Sequence, residues 1–343
     1  MQHIQISRPG SYDRLKLIDA PEPQPGPGEV RVAVQAIGVN YADCVIRMGL
    51  YASAKEYVGW PITPGFEVAG TVDGLGAGVK DLALGDEVLA VTRFGGYATQ
   101  VVAPRHQVFA LPQGWSMQQA AGLPAVFLTA WYALHELAHV RPGETMLVHS
   151  AAGGVGGALV QLGKAAGARV VGVVGSEHKV PVAIALGADE VIDKSKHSLW
   201  RMAERVSPKG YDVVLDANGV STLRQSFRHT ASAGRLVIYG FHSMLPRSGG
   251  RPQWLSLAFD WLRTPRFNPL DLTNANKSVL AFNLSYLFDK REMLQRGMNE
   301  LLRLAQEGAI HPPETKAYPM AQVADAHEAL ESGQTVGKLV LTT

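Results

Sequence analysis

The glycine-rich segment at residues 143–164, GETMLVHSAAGGVGGALVQLGK, constrains the fold of this chain more than any other feature. The apolar run from Thr145 to His149 predicts a short strand, the glycines predict a turn, and a helix is expected to open at about Val155. Glycines in such a turn let the main chain approach a pyrophosphate closely, and the first turn of the helix offers unpaired N–H groups to negative charge. The segment therefore predicts a dinucleotide site; the alternative is a glycine-rich turn that binds no ligand.

Strands and helices alternate along the chain from about residue 122 onward. The predicted strands are 146–150, 168–174, 190–194, 212–217 and 234–240, and the predicted helices between them end at 166 or span 177–186, 198–206 and 221–230. Such alternation predicts right-handed βαβ units and a parallel sheet with both faces covered by helices. A strand candidate at 278–287, a helix at 290–307, and a last helix and strand within 322–343 follow.

The first 120 residues carry β-strand patterns instead. Valine-rich runs bounded by Gly, Pro or Asp predict strands at 29–39, 66–75, 86–91 and 97–104. A chain of 343 residues is long enough for two domains of ordinary size, and a hydrophobic fraction of 46% supplies cores for both. The pattern predicts a β-rich domain followed by an α/β domain.

Composition excludes several classes of protein. Cys44 is the only cysteine, so neither an internal disulfide nor a thiolate zinc cluster can form. The net charge of +2 comes without a long Lys/Arg block, which argues against a nucleic-acid partner. The longest nearly apolar stretch, 120–134, is interrupted by Pro124 and is shorter than the ~20 residues of a membrane-spanning helix, so it predicts a buried helix. No signal-peptide pattern is visible, and a cytoplasmic location is expected.

The glycine-rich segment also resembles the signature of the quinone oxidoreductase (zeta-crystallin) family. The matching positions are Gly143, Glu144, Leu147, Ala151, Ala152, Gly153, Gly154, Gly156, Gln161 and Lys164. Further segments that carry the resemblance are 38–51, 64–70, 85–98, 212–219 and 337–341, so it covers nearly the whole chain. The chain is similar to the medium-chain dehydrogenase/reductase superfamily, and within it to the vesicle amine transport protein branch of the quinone oxidoreductases.

This resemblance implies an α/β fold in two domains. A GroES-like β-rich catalytic domain would comprise residues 1–122 and 287–343, and a Rossmann domain with a doubly wound parallel sheet would comprise 123–286. The resemblance also implies a homodimer, in which the sheet edge around Val279 to Ser285 pairs with its symmetry mate.

Zinc alcohol dehydrogenases belong to the same superfamily, so a metal site has to be considered. The positions of two zinc ligands in those enzymes correspond to Asn40 and Phe66 here, and a phenylalanine side chain has no donor atom. His135 and His139, one helical turn apart, fit a capping or surface role better. We therefore expect no metal. Without a Lewis acid, alcohol oxidation is disfavoured, whereas hydride transfer to a quinone or an α,β-unsaturated carbonyl stays feasible.

The end of the second α/β strand indicates which cofactor is used. A site selective for NAD has an Asp or Glu there to bind the ribose hydroxyls, and the sequence has Val174 followed by glycine. Ser176 and Lys179 can hold a 2′-phosphate, and Lys179 matches the phosphate-binding lysine of the family. NADPH is therefore predicted. Two alternatives stay open: Glu177 turns inward, or Lys179 is a solvated helix residue. Lys194 stands near a position where related enzymes have a tyrosine.

The resemblance implies a larger set of cofactor contacts. They are Asn40, Thr129, Ala152, Gly153, Gly154, Val155, Gly156, Ser176, Lys179, Asn218, Tyr239, Gly240, Phe282 and Leu284. Asn40 would bind near the nicotinamide, with a turn-forming Asn as its alternative. Thr129 would face the nicotinamide from a helix, with a buried Thr bonded to its own helix as its alternative.

Tyr51 and Asn40 are the predicted catalytic residues. Tyr51 aligns with a cleft tyrosine of the family and would donate a proton or a hydrogen bond to the carbonyl of the acceptor. The predicted substrate pocket consists of Tyr41, Tyr51, Phe94 and Trp131, whose apolar faces suit a small planar or conjugated carbonyl compound. Aromatic residues near strand ends are also common in cores, which is the alternative for each. Asp43 is shared with the zinc enzymes and suggests a structural bond.

Two other functions remain open at this stage. The cleft could hold a lipid while the nucleotide is regulatory, or the same machinery could reduce an enoyl thioester. The segment QWLSLAFDWLRTPRF at 253–267 is rich in aromatic residues and leucine beside Arg263 and Arg266, and it would allow contact with a membrane surface. A lid over the cleft or a subunit contact is favoured for this segment.

Overall fold

A seven-stranded sheet organises the two ends of the chain in the computed structural model, which describes residues 1–343. Its strands are β3 (Glu29–Val39), β4 (Glu67–Leu75), β5 (Glu87–Val91), β6 (Gln100–Pro104), β7 (Val108–Ala110), β14 (Thr315–Pro319) and β15 (Lys338–Thr342). The neighbours run in the order β14-β15-β3-β4-β5-β7, and β6 pairs with β3. All pairs are antiparallel except β14–β15. A separate hairpin joins β1 (Gln2–Gln5) and β2 (Lys16–Asp19).

A six-stranded parallel sheet forms the middle of the chain. Its strands are β8 (Thr145–His149), β9 (Arg169–Val174), β10 (Glu190–Asp193), β11 (Tyr211–Asp216), β12 (Thr230–Ile238) and β13 (Ser278–Ala281), in the order β10-β9-β8-β11-β12-β13. The strand order reverses between β8 and β11, and ligands of such sheets bind outside the carboxyl ends of the strands at this point. The predicted α/β class, with a Rossmann sheet and a GroES-like β-rich domain, is confirmed.

Twelve helices complete the fold. They are α1 (Tyr41–Arg47), α2 (Ala52–Tyr57), α3 (Met117–Ala120), α4 (Pro124–Trp131), α5 (Gly154–Ala165), α6 (Val180–Ala185), α7 (Leu199–Val206), α8 (Leu223–His229), α9 (Trp254–Arg263), α10 (Pro269–Ala275), α11 (Arg291–Gln306) and α12 (Val323–Glu331). A π-helical turn at Tyr132–Leu137 extends α4, and short 3-10 turns lie at 12–14, 105–107, 177–179, 242–244, 284–287 and 320–322. None of these helices combines the length and the apolar character needed to cross a bilayer.

The strand predicted at 278–287 is shorter than expected. Regular pairing with β12 covers Ser278–Ala281, and a 3-10 turn follows at Leu284–Leu287. Asn283 ends the extended segment because its Oδ1 accepts hydrogen bonds from the Ser285 backbone N–H (3.0 Å) and the Ser285 hydroxyl (2.8 Å). The segment therefore turns back toward the rest of the molecule after four paired residues.

Helix α11 links the two parts of the chain. It follows the parallel sheet in sequence, and its residues Met298 and Leu301 are buried in the same core as α4 and α5. A Cβ added at Gly297 would lie only 2.7 Å from the Trp131 ring, so the helix can approach α4 closely at that position. After α11 the chain returns to the seven-stranded sheet through β14 and β15. The boundary between the two sheets, where Tyr51 meets Asn283 and Ala152 meets Gly337, is called the cleft below.

Candidate active site

The glycine-rich turn after β8 is as tight as the sequence predicts. The Gly153 N–H donates to the Ser150 carbonyl at 2.9 Å, and a Cβ on Gly156 would lie 2.0 Å from that same oxygen. Helix α5 begins at Gly154, and no side chain caps its first turn. Its N–H groups are therefore available to an anion, and the helix dipole adds positive potential at the same place.

The C-terminal strand of the chain lies directly against this turn. The Gly337 N–H donates to the Ala152 carbonyl at 3.1 Å, and Gly153 and Gly337 form an isolated parallel bridge. A Cβ on Gly337 would lie 2.2 Å from the Glu314 carbonyl oxygen, and its φ of +63° also requires glycine. The turn is thus held between the two sheets, at the edge of the cleft.

A buried polar cluster next to the turn escaped the sequence analysis. The Lys338 Nζ lies 2.6 Å from the Glu67 Oε1 and 2.7 Å from the Asn40 Oδ1. The Glu67 carboxylate also accepts from the Asn40 Nδ2 (2.8 Å) and from the Ala125 N–H at the start of α4 (2.6 Å). Glu67 and Lys338 are buried. A charged residue inside each of the apolar segments GFEVAG and GKLVL was the available signal, because buried charges need a partner.

Asn40 and Asp43 have different tasks in this region. Asn40 precedes α1, and both ends of its side-chain amide are occupied by Glu67 and Lys338. The Asp43 carboxylate accepts from the Asn40 N–H (2.8 Å), the Gly65 N–H (2.9 Å) and the Tyr97 hydroxyl (3.0 Å). Burial raises the pKa of Asp43 to about 7, although the hydrogen bonds from these three donors act to lower it. The expected structural bond of Asp43 is confirmed by this geometry.

The two positions that match zinc ligands do not suit a metal here. Phe66 lies in an aromatic row, with ring centroids 6.0 Å from Tyr51 and 5.6 Å from Phe94. Asn40 is bonded to the ammonium group of Lys338, whose fixed positive charge would repel a cation. The donor set therefore does not fit zinc, which needs several S, N or O ligands that converge on one point.

A second group of side chains that could ligate a metal is bonded to an arginine instead. Ligand atoms of Cys44, His327 and Glu331 lie within 4.8 Å of one another in the core of the seven-stranded sheet. The Arg47 guanidinium lies 2.7 Å from Glu331 and 3.2 Å from the His327 Nδ1. Its positive charge already neutralises the carboxylate, so this group also does not fit a metal.

Tyr51 spans the cleft. Its hydroxyl donates to the Asn283 Oδ1 at 2.9 Å, and Asn283 follows the last strand of the parallel sheet. Burial raises the pKa of Tyr51, so the phenol keeps its proton at neutral pH. Together with Phe66 and Phe94 it forms an apolar wall with one proton-bearing oxygen. The sequence analysis did not single out Asn283, whose only signal was an Asn after a strand.

Trp131 is not part of this wall, and its assignment to the substrate pocket was wrong. Only 1% of its surface is exposed, and it lies between α4 and α11. Its Nε1 donates to the Glu300 Oε2 at 2.8 Å, which satisfies the indole inside the core. Tyr41 does lie at the cleft, where its hydroxyl is 3.5 Å from the His242 carbonyl oxygen and its ring is 5.7 Å from the His242 ring.

Most of the remaining residues implied by the resemblance follow the carboxyl ends of parallel strands, whereas Thr129 lies on α4. Thr129 is the one residue of α4 that is partly exposed, and its hydroxyl donates to the Ala125 carbonyl at 2.6 Å. This bond is the one named above as its alternative. Asn218 is buried after β11, and Tyr239 and Gly240 follow β12. Phe282 packs on Tyr132 with a centroid distance of 4.8 Å, and Leu284 is partly buried in the turn after it.

The residues after β9 have a basic character. Glu177 is exposed and forms an ion pair with Lys196, so its carboxylate is not turned inward in this structure. The Lys179 Nζ donates to the Gly333 carbonyl at 2.7 Å, and burial followed by repulsion from Lys194 lowers the pKa of Lys179. Lys179 is therefore bonded within the chain while it remains partly exposed. Ser176 is partly exposed beside it, and its hydroxyl has no partner within the chain.

Comparison with known proteins agrees with this architecture. Residues 26–113 match the alcohol dehydrogenase GroES-like domain family, and residues 186–341 match the zinc-binding dehydrogenase family. The synaptic vesicle membrane protein VAT-1 homolog of Danio rerio is 34% identical over 335 residues, which cover 97% of this chain and 68% of that protein. The chain belongs to the medium-chain dehydrogenase/reductase superfamily, in the family of quinone oxidoreductases and VAT-1 homologues. The resemblance stated from the sequence is thus confirmed.

Two solved structures of this superfamily are especially informative. The quinone oxidoreductase of Escherichia coli, determined in complex with NADPH, has a TM-score of 0.86 and 29% identity, and the match covers 100% of both chains. The CurK enoyl reductase has a TM-score of 0.85 and 26% identity, and the match covers 99% of this chain and 98% of that one. An oxidoreductase of this family is what the fold supports.

Proposed function

We propose that this protein is an NADPH-dependent reductase that transfers hydride to quinones or α,β-unsaturated carbonyl compounds without a metal. One observation carries the proposal: the uncapped glycine-rich turn is bonded to Gly337, next to Lys338, and the two metal-ligand positions are taken by Phe66 and by Asn40 bonded to Lys338. The cofactor is expected from the E. coli enzyme, which binds NADPH. The proposed domains are 1–122 with 287–343, and 123–286.

The residues of the chain fit the cofactor. The turn at 152–156 would hold the pyrophosphate, Ser176 and Lys179 would hold the 2′-phosphate, and the group near Thr129 and Asn218 would hold the nicotinamide half. Bound NADPH supplies the hydride, which is the chemistry that the protein itself lacks. The rings of Phe66 and Phe94 would exclude water from the substrate pocket and give it a flat shape that suits a planar acceptor.

Tyr51 would supply the proton or hydrogen bond. Its phenol is protonated at neutral pH and lies against Phe66. Because a phenol has a single proton, the hydroxyl would turn from the Asn283 Oδ1 to the carbonyl of the acceptor when it donates. A carbonyl oxygen that gains negative charge in conjugate reduction is stabilised by such a donor. A quinone needs this donor less, because its reduced oxygen is a stable phenolate that takes a proton from water.

The first experiment measures oxidation of NADPH and NADH by the purified protein with a planar ortho-quinone, a simple enone and an enoyl thioester. Turnover that is selective for NADPH with the quinone or the enone supports the proposal. Turnover only with the thioester would replace it by an enoyl-thioester reductase, a function favoured by the likeness to the CurK enzyme. Tight NADPH binding without turnover would contradict the reductase and favour a lipid-binding role.

Replacement of Tyr51 by Phe is expected to lower kcat about tenfold with the enone and less than threefold with the ortho-quinone. The reason is that only the enone depends on a positioned proton donor. Steady-state kinetics on both acceptors would measure the effect. Tyr57→Phe is the matched control, because Tyr57 lies nearby and is 38% exposed, and it should change neither value. Equal losses on both acceptors would contradict the donor role of Tyr51.

A homodimer is the proposed assembly. Strand β13 pairs only with β12, so its outer edge is open, and α9 and α10 precede it in sequence. These two helices expose several large apolar side chains, with Leu255 at 90%: Trp254, Leu255, Phe259, Trp261, Leu262 and Leu270. A subunit contact would cover them and would also pair the open edge.

Leu255→Asp is expected to shift the protein from dimer to monomer in analytical ultracentrifugation, since it places a charge in the covered face. Leu84→Asp serves as control, because Leu84 is also exposed but lies in the loop before β5. If the wild-type protein is a monomer and α9 instead binds vesicles of anionic lipid, the membrane contact considered from the sequence replaces the dimer.

A further inference from the structure

A buried hydrogen-bonded cluster lies at the carboxyl ends of β8 and β11, where the order of the parallel strands reverses. The two strands are paired at Val148 and Leu215, and the next residues, His149 and Asp216, are both fully buried. The glycine-rich turn begins directly after His149, and the loop 217–219 begins directly after Asp216. The cluster therefore adjoins both loops that border the place where ligands of such a sheet bind.

The Asp216 carboxylate fixes the backbone of the loop that follows it. Its Oδ1 accepts from the Asn218 N–H at 2.8 Å and from the Gly219 N–H at 3.1 Å. Its Oδ2 accepts from the Thr222 hydroxyl and from the Ser226 hydroxyl, each at 2.7 Å. A carboxylate without access to water is costly to bury, and these hydrogen bonds are what stabilises its charge. The charge of Asp216 and the conformation of the loop therefore depend on each other.

His149 completes the cluster as a neutral donor. The Ser226 hydroxyl has a single proton and gives it to Asp216, so its oxygen accepts from the His149 Nε2, which is 3.1 Å away. The imidazole proton is therefore on Nε2, and Nδ1 has no hydrogen-bond partner in the chain. Burial lowers the pKa of His149, which keeps the ring neutral at neutral pH. The tautomer of His149 thus shows whether the side chain at position 216 accepts from Ser226.

The loop 217–219 is also held from its other side, by residues that follow β12. The Ala217 carbonyl accepts from the His242 N–H at 3.1 Å, and the Asn218 carbonyl accepts from the Ser243 N–H at 2.9 Å. The His242 carbonyl in turn faces the Tyr41 hydroxyl at the cleft. The side-chain amide of Asn218 forms no hydrogen bond within the chain, although only 3% of the residue is exposed. A nearly buried amide without a partner is suited to bind a polar ligand.

We propose that Asp216 is a positioning residue, which holds the loop in one conformation and thereby orients Asn218 toward the nicotinamide half of the cofactor. This inference rests on the proposed function. The carboxamide of nicotinamide and the hydroxyls of its ribose each donate and accept hydrogen bonds, as the amide of Asn218 does. Because the loop is fixed from two sides before the cofactor arrives, little conformational entropy is lost on binding.

Asp216→Asn keeps the shape of the side chain and removes its charge. The amide oxygen can still accept from the backbone N–H groups of the loop, but the amide nitrogen would face the Thr222 and Ser226 hydroxyls as a donor. Ser226 would then have to donate its proton to His149. We expect the imidazole proton of His149 to move from Nε2 to Nδ1, which NMR of the imidazole nitrogens in the cofactor-free protein measures. An unchanged tautomer would contradict the hydrogen-bonded chain on which the inference depends.

Calorimetric titration of the full-length protein with NADPH and with 2′,5′-ADP, which lacks the nicotinamide half, tests the positioning role. We expect Asp216→Asn to raise the Kd of NADPH about tenfold and the Kd of 2′,5′-ADP less than about twofold. Asp212→Asn is the matched control and should leave both values unchanged. Asp212 lies at the opposite end of β11, where its Oδ2 accepts from the Thr145 N–H at 2.8 Å.

A second pair of variants tests the same carboxylate if Asp216→Asn does not fold. Thr222→Val removes one donor from Asp216 and should raise the Kd of NADPH about threefold. Thr222→Ser keeps the hydroxyl and should bind NADPH as the wild type does. Equal affinities of the Val and Ser variants would contradict the role of this hydrogen bond.

Two binding results would overturn the inference while the proposed function stands. One is an Asp216→Asn variant that binds NADPH as tightly as the wild type does. The other is an equal loss of affinity for NADPH and 2′,5′-ADP, which would make the role of Asp216 purely structural. A wild-type protein that binds neither compound would instead overturn the proposed function, and the inference with it.

Discussion

Gly156→Ala is expected to weaken NADPH binding about a hundredfold and to lower the free energy of unfolding by about 1–3 kcal/mol. The added Cβ would lie 2.0 Å from the Ser150 carbonyl oxygen, and both atoms belong to rigid parts of the β8–α5 connection. The start of α5 must therefore move by about 1 Å, and its N–H groups then no longer point at the pyrophosphate. Calorimetric titration and urea unfolding measure the two effects separately.

The neighbouring glycine supplies the control for this experiment. A Cβ on Gly157 would meet the Leu186 Cδ1 at 3.0 Å, the end of a flexible side chain, and the Ala151 carbonyl oxygen at an ordinary contact distance of 3.8 Å. Gly157→Ala should therefore keep both the affinity and the stability. If Gly156→Ala loses stability but the wild-type protein does not bind NADPH, the geometry of the turn is correct and the proposed function is wrong. A Gly156→Ala variant as stable as the wild type would contradict the geometry itself.

Lys338→Met is expected to lower the free energy of unfolding by about 3–5 kcal/mol. The substitution leaves the Glu67 carboxylate buried without its counter-ion, and the Asn40 amide loses one of its two partners. Urea unfolding of the two proteins at neutral pH measures the loss. Because the Asn40 amide then lacks the ammonium group that holds its Oδ1, its side chain is less well fixed and kcat should fall as well.

Two further variants separate the charge effect from simple packing. The double variant Glu67→Gln with Lys338→Met removes both charges and should regain more than half of the lost stability. Lys164→Met is the control, since the Lys164–Asp189 pair is about one-third exposed and its loss should cost less than about 1 kcal/mol. A loss of similar size in Lys164→Met would show that burial is not the cause.

The outline of the fold was available from local patterns. The alternation of Val-rich strands with helices from residue 122 onward predicted the parallel sheet, and the observed strands from Thr145–His149 to Thr230–Ile238 lie within a few residues of the predictions. The turn at 150–156 was predictable because it depends only on a few adjacent residues. Glycine permits the tight backbone conformations and close approaches that such a turn needs. The loss of a zinc ligand at Phe66 was also predictable, because a phenylalanine side chain has no donor atom for a metal.

The site depended on contacts that the sequence does not contain. Trp131 was assigned to the substrate pocket as an aromatic residue that suits a planar acceptor, but Gly297 allows α11 to cover it. Lys338 was noticed only as part of a motif, and its pairing with Glu67 joins strands at opposite ends of the chain. The hydrophobic periodicity of a helix or strand predicts that a residue is buried, but it does not identify the residues that pack against it.

The sequence by itself determined that this chain builds a dinucleotide turn, lacks a carboxylate after Val174 and lacks ligands for zinc, because each of these depends on residue identity over a short range. Only the tertiary structure decided that Tyr51 meets Asn283 and that Glu67 meets Lys338. Those arrangements arise from two sheets packed against each other, and packing depends on the whole chain.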